Sequence, residues 1–277
     1  MIIYKDENKE NRMIEVEQVT KRYKVKQQSQ NCFASLFHPE YKTVTAVQNI
    51  NFHIDRGEMV GLIGLNGAGK TTTLKMLSGL IYPSEGKITV DGFVPKDLKK
   101  DYLKKIGLVM GNKSQLWWDI SAYASFELEG AIYGMNDIEI KKEVDILAEL
   151  LEVSNLLKVP VRKLSLGERM KMELILVFMH NPSILFLDEP TIGLDILSQK
   201  KLREFIKYYN KKNDATMIMT SHNMRDVEEL CDRVIIIDHG HIIYDGMIEK
   251  IKLCSSKSTS NDFEETISKL LEGSCAI

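Results

Sequence analysis

The sequence predicts an α/β fold: a largely parallel sheet flanked by helices, with a smaller antiparallel patch of strands near the N-terminus. Three observations predict it. Short apolar runs of strand length alternate with segments of helical spacing, the order expected of β–α crossover units. One run, 59–65 (MVGLIGL), passes through a glycine-rich turn directly into the helix-forming TTTLKMLSGL. Ahead of it, two strand-like segments follow one another with no helical segment between them.

Taken in order, residues 1–12 are polar and form a loose N-terminal extension, too charged after a short apolar start for a signal peptide. MIEVEQV (13–19) alternates apolar and polar residues, the period of a half-buried strand. VTAVQNINFHI (44–54) is the second strand-like segment. The polar stretch between them, 24–43, is too long for a hairpin connection and reads as an insertion, although it carries Phe33, Leu36 and Phe37. KITVDG (87–92) and KIGLVM (105–110) are further strands. From Ser121 to about Leu157, and again over 169–180, apolar residues fall at helical spacing. SILFLDEP and ATMIMTSH each carry an apolar strand to a polar end, and RVIIIDHGHIIYDG reads as a hairpin turning at His239–Gly240. The expected organisation is one domain, 13–250. Segments 13–110 and 181–250 form the core and β-patch, 111–180 form a helical insertion, and 251–277 form a tail.

Bulk properties narrow the function. The chain has 277 residues, 44% of them hydrophobic, enough to bury a substantial core. Its 37 Lys+Arg nearly balance 39 Asp+Glu, which removes the electrostatic case for a nucleic-acid partner. Cys32, Cys231, Cys254 and Cys275 lie far apart and form no CxxC pair, so a metal cluster or disulfide framework is not expected. No apolar run approaches the length of a membrane span.

Two motifs carry chemistry. GLNGAGKT, Gly64–Thr71, fits the phosphate-loop pattern G-x-x-x-x-G-K-[ST] in the required strand–loop–helix setting. Asn66, Gly67, Ala68 and Gly69 would wrap backbone N–H groups around an anion at a helix N-terminus, joined by Thr72. Lys70 would reach the terminal phosphates, and the Thr71 hydroxyl would bind Mg²⁺. The second motif, ILFLDEP, delivers Asp188 and Glu189 at the C-terminal end of a strand, where open parallel sheets bind their ligands. Asp188 suits hydrated Mg²⁺, and Glu189 suits holding and polarising an attacking water.

With KLSLGERM (163–170) before LFLDEP, then TIGLD (191–195), then TSH (220–222), the whole order resembles the ATP-binding subunit of ABC transporters over about residues 13–250. The resemblance implies a P-loop NTPase with a RecA-like core, an N-terminal antiparallel β-subdomain and an inserted helical subdomain. It implies that two subunits, as a homodimer or a heterodimer, sandwich two ATP. Leu164–Glu168 is similar to the family signature, usually LSGGQ, so Ser165 and Gly167 would face the ATP of the opposite subunit. Leu166 in place of glycine disfavours a positive φ, and Glu168 in place of glutamine brings negative charge toward a nucleotide. Asp195 would link the two sites, and His222 would contact the γ-phosphate and the attacking water. Tyr23, with Tyr41 as its rival, would stack on adenine.

The resemblance also gives meaning to GNKSQLWWD (111–119). An amide that senses Mg²⁺ and water is expected just past the strand ending at Met110. Asn112, two residues on, fits the spacing, with Gln115, five residues on, as the alternative. Trp117 and Trp118 fall where a membrane permease subunit docks in this family; adjacent residues usually point different ways, so one is expected to pack inward and one to face the partner. The long insertion, QLWWD and LSLGE together look like the bacterial group paired with ABC-2-type permeases, which mostly export. The expected location is peripheral, on the cytoplasmic side of the membrane. A soluble ABC ATPase, such as the iron–sulfur assembly type, is the alternative. A module that binds ATP without hydrolysing it fits poorly with the intact set Lys70, Asp188, Glu189 and His222.

Overall fold

The computed structural model describes residues 11–26, 41–111, 113–255 and 263–271. Strands β1 (Arg12–Lys26) and β2 (Tyr41–Asp55) come first, then β3 (Met59–Ile63), which leads into helix α1 (Lys70–Leu77). β4 (Glu85–Val90), the one-turn helix α2 (Lys100–Leu103) and β5 (Ile106–Met110) follow. Helices α3 (Ala122–Tyr133), α4 (Asp137–Leu150) and α5 (Leu166–Phe178) then run without an intervening strand. The chain continues through β6 (Ile184–Asp188), α6 (Ile196–Asn213), β7 (Thr216–Thr220) and α7 (Met224–Leu230). It ends in the hairpin β8 (Arg233–Asp238)–β9 (His241–Met247), α8 (Ile248–Ser255) and α9 (Phe263–Leu271).

These strands form two sheets. The larger has the order β5-β6-β7-β3-β8-β9, parallel except for the edge strand β9. The smaller is antiparallel, β2-β1-β4. Alternation sorts the strand residues of the large sheet between two apolar cores. Leu185, Leu187, Met217, Met219, Val234 and Ile236 face one core, shared with α5, α6 and the helical region. Ile184, Phe186, Ile218, Ile235 and Ile237 face the other, shared with α1 and the small sheet. Covering both faces removes the need for a polar side, which is why these strands read as unbroken apolar runs.

The turn at His239–Gly240 has φ of 43° and 81°, the left-handed pair that a two-residue hairpin turn requires. The two N-terminal strands run further than alternation predicts. Lys24 pairs with Thr43 and Lys26 with Tyr41, so both ends of the expected 24–43 insertion belong to the ladder. Exposure of this outer ribbon on both faces erased the period that marks a half-buried strand. Phe33, Leu36 and Phe37 lie outside the described residues.

Each α-helix in the inserted region starts on a side-chain cap. Ser121 accepts from Ala124 N–H before α3, and Asn136 with Glu139 forms a capping box before α4. α3 stops at Gly134, φ 79°, the left-handed conformation that commonly ends helices.

Behind the C-terminal strand ends lies a buried polar hub. The Asp226 carboxylate accepts from Arg203 Nη1 at 2.6 Å, Thr191 Oγ1 at 2.7 Å and Ser221 Oγ at 3.1 Å. Arg203 and Asp226 are both almost fully buried. The hub therefore joins α6 and α7 to the loops after β6 and β7. Removing one partner leaves a buried charge uncompensated, so Asp226→Ala is expected to lower stability by about 3–5 kcal/mol, read as a fall in the urea midpoint.

Candidate functional site

The loop between β3 and α1 is shaped by what crosses it. Gly69, φ 116°, caps α1, and a Cβ there would lie 2.7 Å from the Ala46 carbonyl oxygen of β2. Only glycine permits both the conformation and the approach. Gly67, φ 81°, faces open space, with nothing within 4 Å of where its Cβ would stand. The result is exposed backbone beside a helix N-terminus, the arrangement that binds phosphate groups. A cavity of about 320 Å³ opens there, lined by residues 66–72, Gly111, Asp188, Glu189, Ile192 and His222. Lys70 Nζ donates to the carbonyls of Gly64 at 2.6 Å and Leu65 at 3.1 Å. Burial lowers its pKa, opposed by the nearby carboxylates of Glu189 and Asp188.

At the far wall, β6 ends on Asp188. Its carboxylate accepts from Thr71 Oγ1 at 3.0 and 3.2 Å and from Thr220 Oγ1 at 2.7 Å. Glu189 follows in a left-handed conformation, φ 55°, which costs a non-glycine residue on the order of 1–3 kcal/mol. Hydrogen bonds hold it there: its N–H reaches both the carbonyl and the hydroxyl of Thr220, and its carbonyl accepts from Ile192 N–H. Glu189 Oε2 accepts from the His222 backbone N–H at 3.1 Å. Oε1 is buried, makes no hydrogen bond, and lies 3.4 Å from His222 Nε2. The strained turn thus aims one unsatisfied carboxylate oxygen toward the histidine that lines the same cavity. Nothing in the residue pattern marks Glu189 as a left-handed position.

The structure does not bring Ser165, Gly167 or Asp195 to this cavity. Ser165 caps α5: its hydroxyl accepts from Glu168 N–H, while Glu168 Oε2 accepts from Ser165 N–H at 2.8 Å. Hydrogen bonds from Ser165 hold the Glu168 carboxyl below the usual carboxylate range. The acidic replacement in the signature therefore completes a capping box. Leu166 is the first helical residue and has no positive φ. Its side chain covers Gly193, where a Cβ would lie 2.7 Å from Leu166 Cγ; a Cβ on Gly167 would lie 2.7 Å from the Gly193 carbonyl. The signature turn is thus packed on the loop leading to Asp195, which caps α6 by accepting from Ser198 N–H and Oγ. Tyr23 and Tyr41 lie on the exposed ribbon, not in the cavity wall, and Tyr23 stands 5.2 Å from Lys21 Nζ.

In 111–119, Gly111 N–H donates to the Asp188 carbonyl at 2.8 Å, which places this residue on the cavity. Asn112 lies outside the described residues. Gln115 Nε2 donates to the Leu108 carbonyl at 2.7 Å, so its amide is turned back onto β5 rather than into the cavity. The expected division between the tryptophans does not occur: Trp117 is 63% and Trp118 50% exposed. Leu116, 6% exposed, takes the inward position and leaves both rings outside. Trp118 stacks over Arg169, with the guanidinium carbon 5.0 Å from the ring centroid. Sequence reasoning passed over Glu173, a buried acid on α5 whose Oε1 accepts from Ser114 Oγ, Gln115 N–H and Leu116 N–H. Its signal was a lone charge inside the apolar run MELILVF.

Comparison with known proteins agrees with this geometry. A family model described as ABC transporter matches residues 47–192. The ABC transporter ATP-binding protein NatA of Bacillus subtilis (strain 168) is 38% identical over 215 residues, 78% of this chain and 87% of the relative. The linearmycin resistance ATP-binding protein LnrL of the same organism is 35% identical over 232 residues, 84% of this chain and 73% of the relative. In fold, the chain is similar to the dimeric ATP-binding cassette MJ0796 bound to ADP and Pi. That match has a TM-score of 0.72 and 24% identity, and covers 85% of this chain and 98% of that one.

The two amides of 111–119 make a direct test. Asn112→Ala is expected to lower steady ATP hydrolysis roughly 10- to 100-fold. Gln115→Ala, whose amide only braces β5, is expected to lower it less. The reverse order, measured by phosphate release, assigns the role to Gln115.

Proposed function

We propose that this chain, which belongs to the ABC transporter family of ATP-binding, ATP-hydrolysing proteins, is the motor of an exporter whose membrane-spanning permease is a separate subunit. The observation that carries the catalytic part is one cavity bordered by the phosphate loop, Asp188, Glu189 and His222. ATP is its substrate. The glycine backbone and the α1 N-terminus receive the phosphates, and Lys70 swings from the Gly64 and Leu65 carbonyls to neutralise them.

The donor set fits Mg²⁺. Thr71 and Asp188 place two kinds of hard oxygen together at the cavity edge, and among the described residues no group of three or more acidic, His or Cys side chains forms a protein cage. Mg²⁺ favours that arrangement, taking few protein ligands and completing its shell with phosphate and water. When bound, it neutralises charge on the phosphates. In the proposed chemistry Glu189 Oε1, unsatisfied and beside His222, accepts the hydrogen bond of the attacking water and orients it. His222 holds the γ-phosphate side of that water. The strained Glu189 backbone and the Asp226 hub hold the two side chains in register.

Ser165 and Gly167 lie off the cavity, on a helix N-terminus, which suits contact with ATP held by a second copy or a homologous chain. Asp195 sits beside that surface. The exposed Trp117–Trp118 edge is assigned to the permease, because two large aromatics left in solvent are costly unless a partner covers them. No helix among the described residues is long and apolar enough to cross a membrane. The cytoplasmic face of the membrane is the corresponding location. Export is favoured by the likeness to a protein named for resistance to linearmycin.

Glu189→Gln is expected to keep MgATP binding, to lower steady hydrolysis at least about 100-fold, and to accumulate an ATP-bound dimer. Hydrolysis at the parental rate would remove Glu189 from the reaction. Purification from membranes with an affinity tag on this chain is expected to bring down a multi-span protein; recovery of the chain without one contradicts the transport assignment.

A further inference from the structure

α5 is buried along almost its whole length after the first turn, and its buried side chains are apolar with one exception, Glu173. A carboxylate at such a place is costly unless its lone pairs are used. Here they are. Oε1 receives Gln115 N–H at 2.8 Å, Leu116 N–H at 3.2 Å and the Ser114 hydroxyl. Two successive N–H groups and a hydroxyl converging on one oxygen form a small anion nest whose anion belongs to a different element.

A second contact lies one turn earlier on the same helix. Arg169 places its guanidinium against the ring of Trp118, and its buried Nε has no hydrogen-bond partner. Residues four apart share one helix face, so Arg169 and Glu173 grip the 114–118 segment at two points. Upstream, Gly111 is bonded to the backbone of Asp188 at the cavity. The α5 N-terminus is Ser165.

We propose that Glu173 is a positioning residue, fastening the 114–116 turn to α5 so that the tryptophan edge and Ser165 move as one rigid piece. The inference rests on the reading of Ser165 as a contact to ATP on a second subunit. A push on Trp117–Trp118 then displaces the signature turn directly, without passing through the nucleotide held by the same chain. Burial raises the pKa of Glu173, yet the two N–H donors need only a lone pair, which a glutamine amide also offers.

The test uses the full chain in the Glu189→Gln background with MgATP. Glu173→Leu is expected to raise the MgATP concentration for half-maximal dimerisation roughly tenfold or more, while MgATP affinity per monomer stays within about twofold. Glu173→Gln is expected to restore dimerisation. Trp117 and Trp118 are the two tryptophans of the chain, so acrylamide quenching of their fluorescence reads the segment itself and should rise in Glu173→Leu. Equal dimerisation in Glu173→Leu and its parent overturns the proposal, as does a matching loss of monomer affinity. Should Glu173→Leu not fold, Glu173→Asp carries the test with the same outcomes. If the Glu189→Gln parent stays monomeric, the two-subunit reading fails separately, and unchanged quenching in Glu173→Leu then overturns the role of Glu173.

Discussion

The Asp188 carboxylate is the point on which the site depends. It lies at the C-terminal end of β6 and is hydrogen-bonded by Thr71 of α1 and Thr220 of β7. One buried side chain thus ties the phosphate-loop helix to two neighbouring strands. The next residue is Glu189, and the backbone N–H of Glu189 is held by the same Thr220. The strained turn that aims the Glu189 carboxylate is therefore anchored through a shared partner of Asp188. Asp226 repeats the pattern one layer back, bonding residues that flank Glu189 and His222.

This arrangement divides the chain into a cavity half and an outward half. The cavity half places the phosphate loop, Asp188, Glu189 and His222 around one cavity. The outward half is the helical region, attached to the cavity through Gly111 and to α5 through Glu173 and Arg169. Its signature turn packs through Leu166 and Gly167 on Gly193, close to Asp195. Two separate connections thus run from the cavity to the surface proposed to meet a second ATP. One follows the loop after β6, and the other follows the segment after β5.

Much of this was legible in sequence because the deciding interactions are local. The phosphate loop needs glycines at fixed spacing between a strand and a helix, and Gly69 shows why: β2 backbone crosses within contact of it. The capping box at Ser165–Glu168 was also written locally, as S-x-x-E, although as a signature the same glutamate reads as a misplaced charge. What escaped sequence reasoning depends on partners distant in the chain. Glu173 is explained by N–H groups 57 and 58 residues away. The outward position of both tryptophans follows from Leu116 taking the core site. The length of the β1–β2 ribbon follows from pairing that leaves no apolar period to read.

The proposed site is complete only when a phosphate-loop cavity and a signature turn from different chains close on one nucleotide. A structure of the Glu189→Gln chain trapped with MgATP tests this most directly. The predicted result is two copies with each γ-phosphate between Lys70 of one and Ser165 of the other. ATP enclosed by a single copy, with Ser165 facing solvent, would contradict it.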